Sequence, residues 1–262
     1  MGKRGQVTVF VIVGIVIVVL ILLFLFLRTR VQIGPITVDN LEDQLEPIRE
    51  HIEECMLERA ELDIIRMGEQ GGFLTTPLGT FREYEGKQVS YLCYNIKDQP
   101  FCRSRVLTLK MMEDQLEESI KQIGITCLRV EQFRKSGITL DKGDLDINVD
   151  IGDDTVIVEA TLPVKLIKDD LQAEMTTYSI ALNYPLGRLY EAMRDIVNSE
   201  AVVGSFDAVP YVLQKTQLHN KPYVISCPHG PYPDKHCMLK IKDIPSEDSE
   251  YIFQFFIQGE AR

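Results

Sequence analysis

The sequence predicts an α+β protein, with an N-terminal transmembrane helix followed by an ectodomain of antiparallel sheet packed with about three amphipathic helices. Three observations lead there. Val7 to Leu27 is an unbroken run of uncharged, almost wholly apolar residues. The stretches 41–67 and 112–135 carry apolar residues at three- and four-residue steps, the period of a helix with one buried face. Between 144 and 183 apolar and polar residues alternate, the period of half-buried strands. Three helices around an antiparallel meander make this α+β.

Residues 1–6, with Lys3 and Arg4, read as a basic leader, and 7–27 as the transmembrane helix. That run makes about 31 Å of helix, the thickness of a bilayer's hydrocarbon core. It is too long for the core of a cleaved secretory signal, and no small-residue pair precedes Arg28. Residues 28–38, with Gly34-Pro35, form a linker to a domain at 39–262, with a subdivision expected near 200–220.

Leu41, Leu45, Ile48, Ile52, Cys55, Met56, Ala60, Ile64 and Met67 line the first helix of that domain. Asp39 with Glu42 offers a capping box, Pro47 a break or a later start, and Gly71-Gly72 a stop. Strands are expected at 88–95 and 103–109. The second helix places Met112, Leu116, Ile120, Ile123, Cys127 and Val130 on one face, with Gly137 closing it. Leu145, Ile147, Val149 and Ile151 then alternate with polar residues, and Val156 to Leu166 alternates again after Gly152-Asp153-Asp154. Residues 171–183 make a third strand and Pro185 opens a helix to about Asn198. Strands at 223–227, 236–244 and 251–258 complete the chain.

Charge narrows the classes of function. The chain carries a net −11, and residues 31–262 hold 24 basic against 39 acidic residues, a net −15. Such a surface repels nucleic acid and anionic lipid. With 45% hydrophobic residues, 11 Phe and 10 Tyr, it is not a disordered acidic tail.

Six cysteines are present, without a C-x-x-C pair. Cys93 and Cys102 flank a polar turn containing Asp98-Gln99-Pro100. Cys227 and Cys237 flank a loop rich in Pro, Gly and His. Both spacings suit disulfides that clamp loops in an oxidising compartment. Zinc on Cys227, His229, His236 and Cys237 is the rival, but the ligand separations are not those of zinc sites. No metal and no cofactor are expected.

The carboxylates, histidines and serines form no complete catalytic signature. Asp144, Asp146, Asn148, Asp150, Asp153 and Asp154 resemble a calcium loop, yet the glycine and glutamate that an EF-hand needs are missing. Their alternation with apolar residues makes them the solvent face of a strand instead. His51 to Cys55 lacks the second histidine of a metalloprotease helix, and no nucleophile elbow, P-loop or dinucleotide fingerprint occurs. Ser205 reads as a loop serine. A Cys227–His229 hydrolase couple would need sequence neighbours to face each other.

The segment Lys3-Arg4-Gly5-Gln6-Val7-Thr8-Val9-Phe10 resembles the start of archaeal type IV pilin-like precursors, the class III signal peptides. The resemblance implies leader cleavage between Gly5 and Gln6, with the apolar helix retained and the domain outside the membrane. Phe10 stands where pilins carry the Glu that orders neighbouring subunits, so a monomer or small oligomer is expected rather than a filament. Glu46-Pro47-Ile48 through Glu54-Cys55 to Gln70-Gly71-Gly72, Cys127-Leu128 with Phe133, and Arg194-Asp195-Ile196-Val197 further resemble a group of uncharacterised archaeal membrane-anchored proteins. That likeness implies that Cys55 and Cys127 act as a pair, and both lie on the apolar faces of their helices.

The expected function is thus a single-pass, membrane-anchored extracytoplasmic binding or structural protein of the cell surface, without catalysis. The alternative is a pilin-like subunit or minor component of a surface filament, and an anchored hydrolase comes third. Expected partners are membrane lipid through 7–27, a protein at the cell surface, and further copies through the transmembrane helix, but not nucleic acid.

Overall fold

The computed structural model describes residues 41–127 (side chains through 122), 138–230, 233–242 and 251–259. The leader, the run at 7–27, the linker and the Gly5–Gln6 junction lie outside these residues. Among the described residues no helix is long and apolar enough to cross a membrane.

Helix α1 (Glu46–Glu69) buries Ile48, Ile52, Met56, Ala60, Ile64 and Met67, the stripe read from the sequence. Pro47 sits in its first turn, where a missing amide costs no helical hydrogen bond, and so marks the start rather than a kink. Gly71 and Gly72 both take positive φ, and the Gly72 amide donates back to the Met67 carbonyl at 2.8 Å, which ends the helix.

Strands β1 (Phe81–Tyr84) and β2 (Lys87–Tyr94) form a hairpin on Glu85-Gly86, both left-handed at φ 48° and 77°. A two-residue turn of that hand matches the strand twist. Strand β3 (Arg103–Ser104) is far shorter than the expected 103–109. Thr108 Oγ1 accepts the Met111 amide at 3.2 Å and starts helix α2 (Leu109–Cys127). The cap thus wins the residues that the alternation suggested for a strand.

Strands β4 (Thr139–Lys142), β5 (Asp146–Ile151), β6 (Val156–Lys168) and β7 (Leu171–Leu182) form an antiparallel sheet. Strands β4 and β5 follow one another along one edge of β6, and β7 takes the other. The β5 pattern is strictly alternate, with Ile147, Val149 and Ile151 buried and Asp146, Asn148 and Asp150 exposed. The apparent calcium ligands therefore face solvent from a strand.

Helix α3 (Leu186–Val203) begins after Pro185 and runs past Asn198 to Gly204 at φ 78°. A fourth helix, α4 (Ala208–His219), follows, one more than expected; with the end of α3 it occupies the 200–220 segment. Strands β8 (Tyr223–Ser226), β9 (Lys235–Ile241) and β10 (Phe253–Ile257) complete a second sheet in the order β1-β2-β10-β9-β8, with β3 also on β2. Among the described residues only the β2–β10 pairing is parallel. Every residue of β10 is buried, as a strand covered on both faces must be.

Helix α1 packs on β7 of one sheet and on β10 and β2 of the other, and α2 packs on α1 and β5. The core is thereby shared between the sheets, and Leu41–Arg262 forms one unit.

A candidate binding cleft between two disulfide-clamped loops

Strand β2 delivers Cys93 to the core, and the chain then turns through Asp98, left-handed at φ 68°, before Cys102 returns to it. The disulfide Cys93–Cys102 closes this loop with Cα atoms 5.2 Å apart. The second loop leaves β8 and returns along β9, closed by Cys227–Cys237 with Cα atoms 4.0 Å apart. Inside it the His236 amide donates to the Pro228 carbonyl and the Gly230 amide to the Asp234 carbonyl, each at 3.0 Å. A cross-linked loop with internal hydrogen bonds keeps its side chains in place without a ligand.

The two loops, more than a hundred residues apart in sequence, border one cleft of about 640 Å³. Asn95, Pro100, Phe101 and Cys102 come from the first loop, and His229, Pro233 and Lys235 from the second. The last turn of α3 supplies Glu200, Val203 and Gly204, and the end of β10 supplies Ile257 with Gln258 and Gly259. A smaller cavity of about 390 Å³, lined by Tyr84, Tyr184 and Tyr251, is crossed by the Lys87–Glu69 ion pair.

One charge pair dominates the cleft wall. Lys235 Nζ donates to both carboxylate oxygens of Glu200, at 2.7 and 2.8 Å, and the Glu200 side chain is only 7% exposed. The pair neutralises itself, so the wall offers polarity without net charge. The Phe101 ring lies against Gly204, where an added Cβ would come within 2.8 Å of it. With φ at 78° as well, Gly204 is required twice over, for the helix stop and for the ring. The floor is tied by Asn95, whose amide donates to Gln258 Oε1 at 2.8 Å and whose Nδ2 donates to the Gly259 carbonyl at 2.9 Å.

Beneath the second loop, buried Asp234 gathers three donors. Its Oδ2 accepts Arg82 Nη1 at 2.7 Å and the Tyr91 hydroxyl at 2.5 Å, and its Oδ1 accepts the Gly259 amide at 3.0 Å. Burial, followed by the hydrogen bond to Asp234, pushes the Tyr91 hydroxyl up to about 12, so it stays a donor at neutral pH. Next along β9, His236 is buried between Tyr84 and Phe256, with ring centroids at 4.3 and 4.7 Å. Gln254 Nε2 donates to the Glu69 carbonyl, which leaves Gln254 Oε1 to accept from His236 Nε2 at 3.0 Å. Burial holds the imidazole below its ordinary pKa, and it is neutral.

These contacts bear on several sequence readings. Cys227 and Cys237 are bonded to each other and His236 is engaged with Gln254, so the zinc rival has no ligand set. Among the described residues no three metal-ligating side chains converge. The same disulfide removes Cys227 as a nucleophile for His229. Ser205 is exposed, and its carbonyl accepts the Ser199 hydroxyl at 2.6 Å. Cys55 is half-buried on α1, and its pairing with Cys127 lies outside the described side chains. Asp154 holds Arg188 at 2.8 Å and Lys221 at 3.0 Å, an ion-pair role rather than a calcium one.

Among its described residues the cleft holds no Ser, Thr or Tyr, and its one cysteine is oxidised. It offers an ion pair, an imidazole, two side-chain amides and apolar walls. Sequence reading found the loops but not Glu200, Lys235, Phe101 or Asn95. None of these carries a motif, and only the disulfide spacing pointed to their neighbourhood. Comparison with protein-family models, curated proteins and solved structures finds no match for the chain.

Proposed function

We propose that the protein is a non-catalytic, membrane-anchored extracytoplasmic binding protein that recognises its partner in the cleft between the two disulfide-clamped loops. The observation that carries this reading is the convergence of both cross-linked loops on one cleft with the Lys235–Glu200 pair in its wall. The apolar run at 7–27 supports the anchor, and the disulfides support an oxidising side of the membrane. A photo-crosslinking residue at position 101 in intact cells tests it. Adducts are expected from 101 and not from Leu62, an exposed residue on α1. Equal labelling from both positions, or none from 101, defeats the cleft.

A second reading, a pilin-like subunit or minor filament component, is favoured by the Lys3-Arg4-Gly5-Gln6 start alone. Mass spectrometry of the mature N-terminus tests the cleavage, and electron microscopy of the purified protein tests assembly. Phe10 leaves no acid for the subunit salt bridge, and no filaments are expected.

A further inference from the structure

Among the described residues strand β7 is an edge. Over its twelve residues it pairs with β6 on one side, and no described residue hydrogen-bonds its backbone on the other. The opposite edge of the same sheet is treated differently. There, Glu117 and Glu113 of α2 accept the Val149 and Ile151 amides of β5, each at 3.2 Å. Open edges normally carry lysines, prolines or several charges that prevent pairing. Strand β7, Leu-Gln-Ala-Glu-Met-Thr-Thr-Tyr-Ser-Ile-Ala-Leu, has neither Lys nor Pro, and Glu174 is its one charged residue.

The strand also slips phase once along its length, which a regularly alternating strand does not. Met175 and Ala173 point inward in its first half, and Tyr178, Ile180 and Leu182 in its second, while Thr176 and Thr177 are both exposed. This change of phase coincides with the irregular register between Thr161 and Val164 on β6. It makes the inward–outward pattern read the same from either end about the Thr176–Thr177 midpoint.

We infer that β7 is the interface with a second copy of this chain, the two strands pairing antiparallel about that midpoint. Thr176 then faces the partner copy's Thr177, Met175 faces Tyr178, Ala173 faces Ile180, and Glu174 faces Ser179. Inward residues meet inward residues at every step. A shift of one residue either way would set buried positions against exposed ones. The register also keeps the two Glu174 carboxylates apart. In a chain of net charge −11, an edge with one charge per strand is where two copies can meet with least repulsion.

The test uses the full chain in density-matched detergent, with sedimentation equilibrium to measure dimerisation. Ser179→Lys sets Lys opposite the partner copy's Glu174 twice over, and the dimer should tighten roughly 2- to 30-fold on ordinary cross-strand pair energies. Ser179→Glu sets like charges opposite and should weaken it by a similar factor. Gln172→Lys makes the same change in charge opposite Ala181 and should not reproduce the gain. Both sites are exposed, so the fold should survive each change. A wild-type monomer at every concentration overturns the inference. So do equal effects of Ser179→Lys and Gln172→Lys, or a dimer indifferent to both Ser179 variants, which would place the contact in the transmembrane helix.

Discussion

Asp234 shows how one buried carboxylate can hold a loop. It joins Arg82 of β1, Tyr91 of β2 and the Gly259 amide just past β10. Asp234→Asn keeps the shape but removes the charge, and leaves Arg82 without its ion pair. With Arg82 partly exposed, the expected loss is about 2–3 kcal/mol, read from denaturant unfolding. His236 sets a pH dependence. Burial lowers its pKa when folded, so below about 6.5 the unfolded chain takes up a proton that the folded one refuses. Stability is therefore fully present above that pH and declines as pH falls toward the folded-state value. His236→Gln should flatten this decline below about pH 6.5. A separate acid loss, below the ordinary carboxylate range, belongs to Asp154 beside Arg188 and Glu191 beside Lys215, both held low by those hydrogen bonds. It should persist in the variant.

Elements were legible where a buried face imposed a period. The stripe of α1 and the alternation of β5 and β6 fall where the apolar residues put them, because each has one side against the core. Helix α4 was illegible for the same reason, since none of its residues is buried and no period marks it. Its signals are at its ends: Asp207 Oδ1 accepts the Val209 amide at 3.2 Å, Pro210 falls in the first turn, and Asn220 closes it left-handed. Hairpin β1–β2 escaped notice because Glu85 occupies a turn position that usually announces itself with Asn, Asp or Gly. The cleft was legible only through its cysteines, as Glu200 and Lys235 meet by tertiary packing. At β5, side chains replace a missing strand. Glu113→Ala with Glu117→Ala should speed hydrogen exchange at the Ile151 and Val149 amides selectively and cost about 1 kcal/mol for each bond.

For the whole molecule the proposed anchor raises the question of which side of a membrane would hold the domain, and the cysteines make it measurable. The cytosol keeps thiols reduced, whereas two loops here are closed by disulfides. By loop-closure entropy each short bridge is worth about 3 kcal/mol, less any strain in the folded loop. Reduction should therefore lower the unfolding midpoint markedly and loosen the cleft that the loops border, rather than dissolve the core between α1 and the sheets. Protein taken directly from cells, denatured without reductant and treated with an alkylating agent, is expected to gain no adduct on any of its six cysteines. Protease added to intact cells is expected to digest the domain from about residue 31 onward. Six adducts together with full protection from protease would put the domain in a reducing compartment, and the extracytoplasmic reading would fall with the anchor's orientation. Six adducts on a protease-sensitive domain would instead show that the surface location stands and that the loops are held by hydrogen bonds alone.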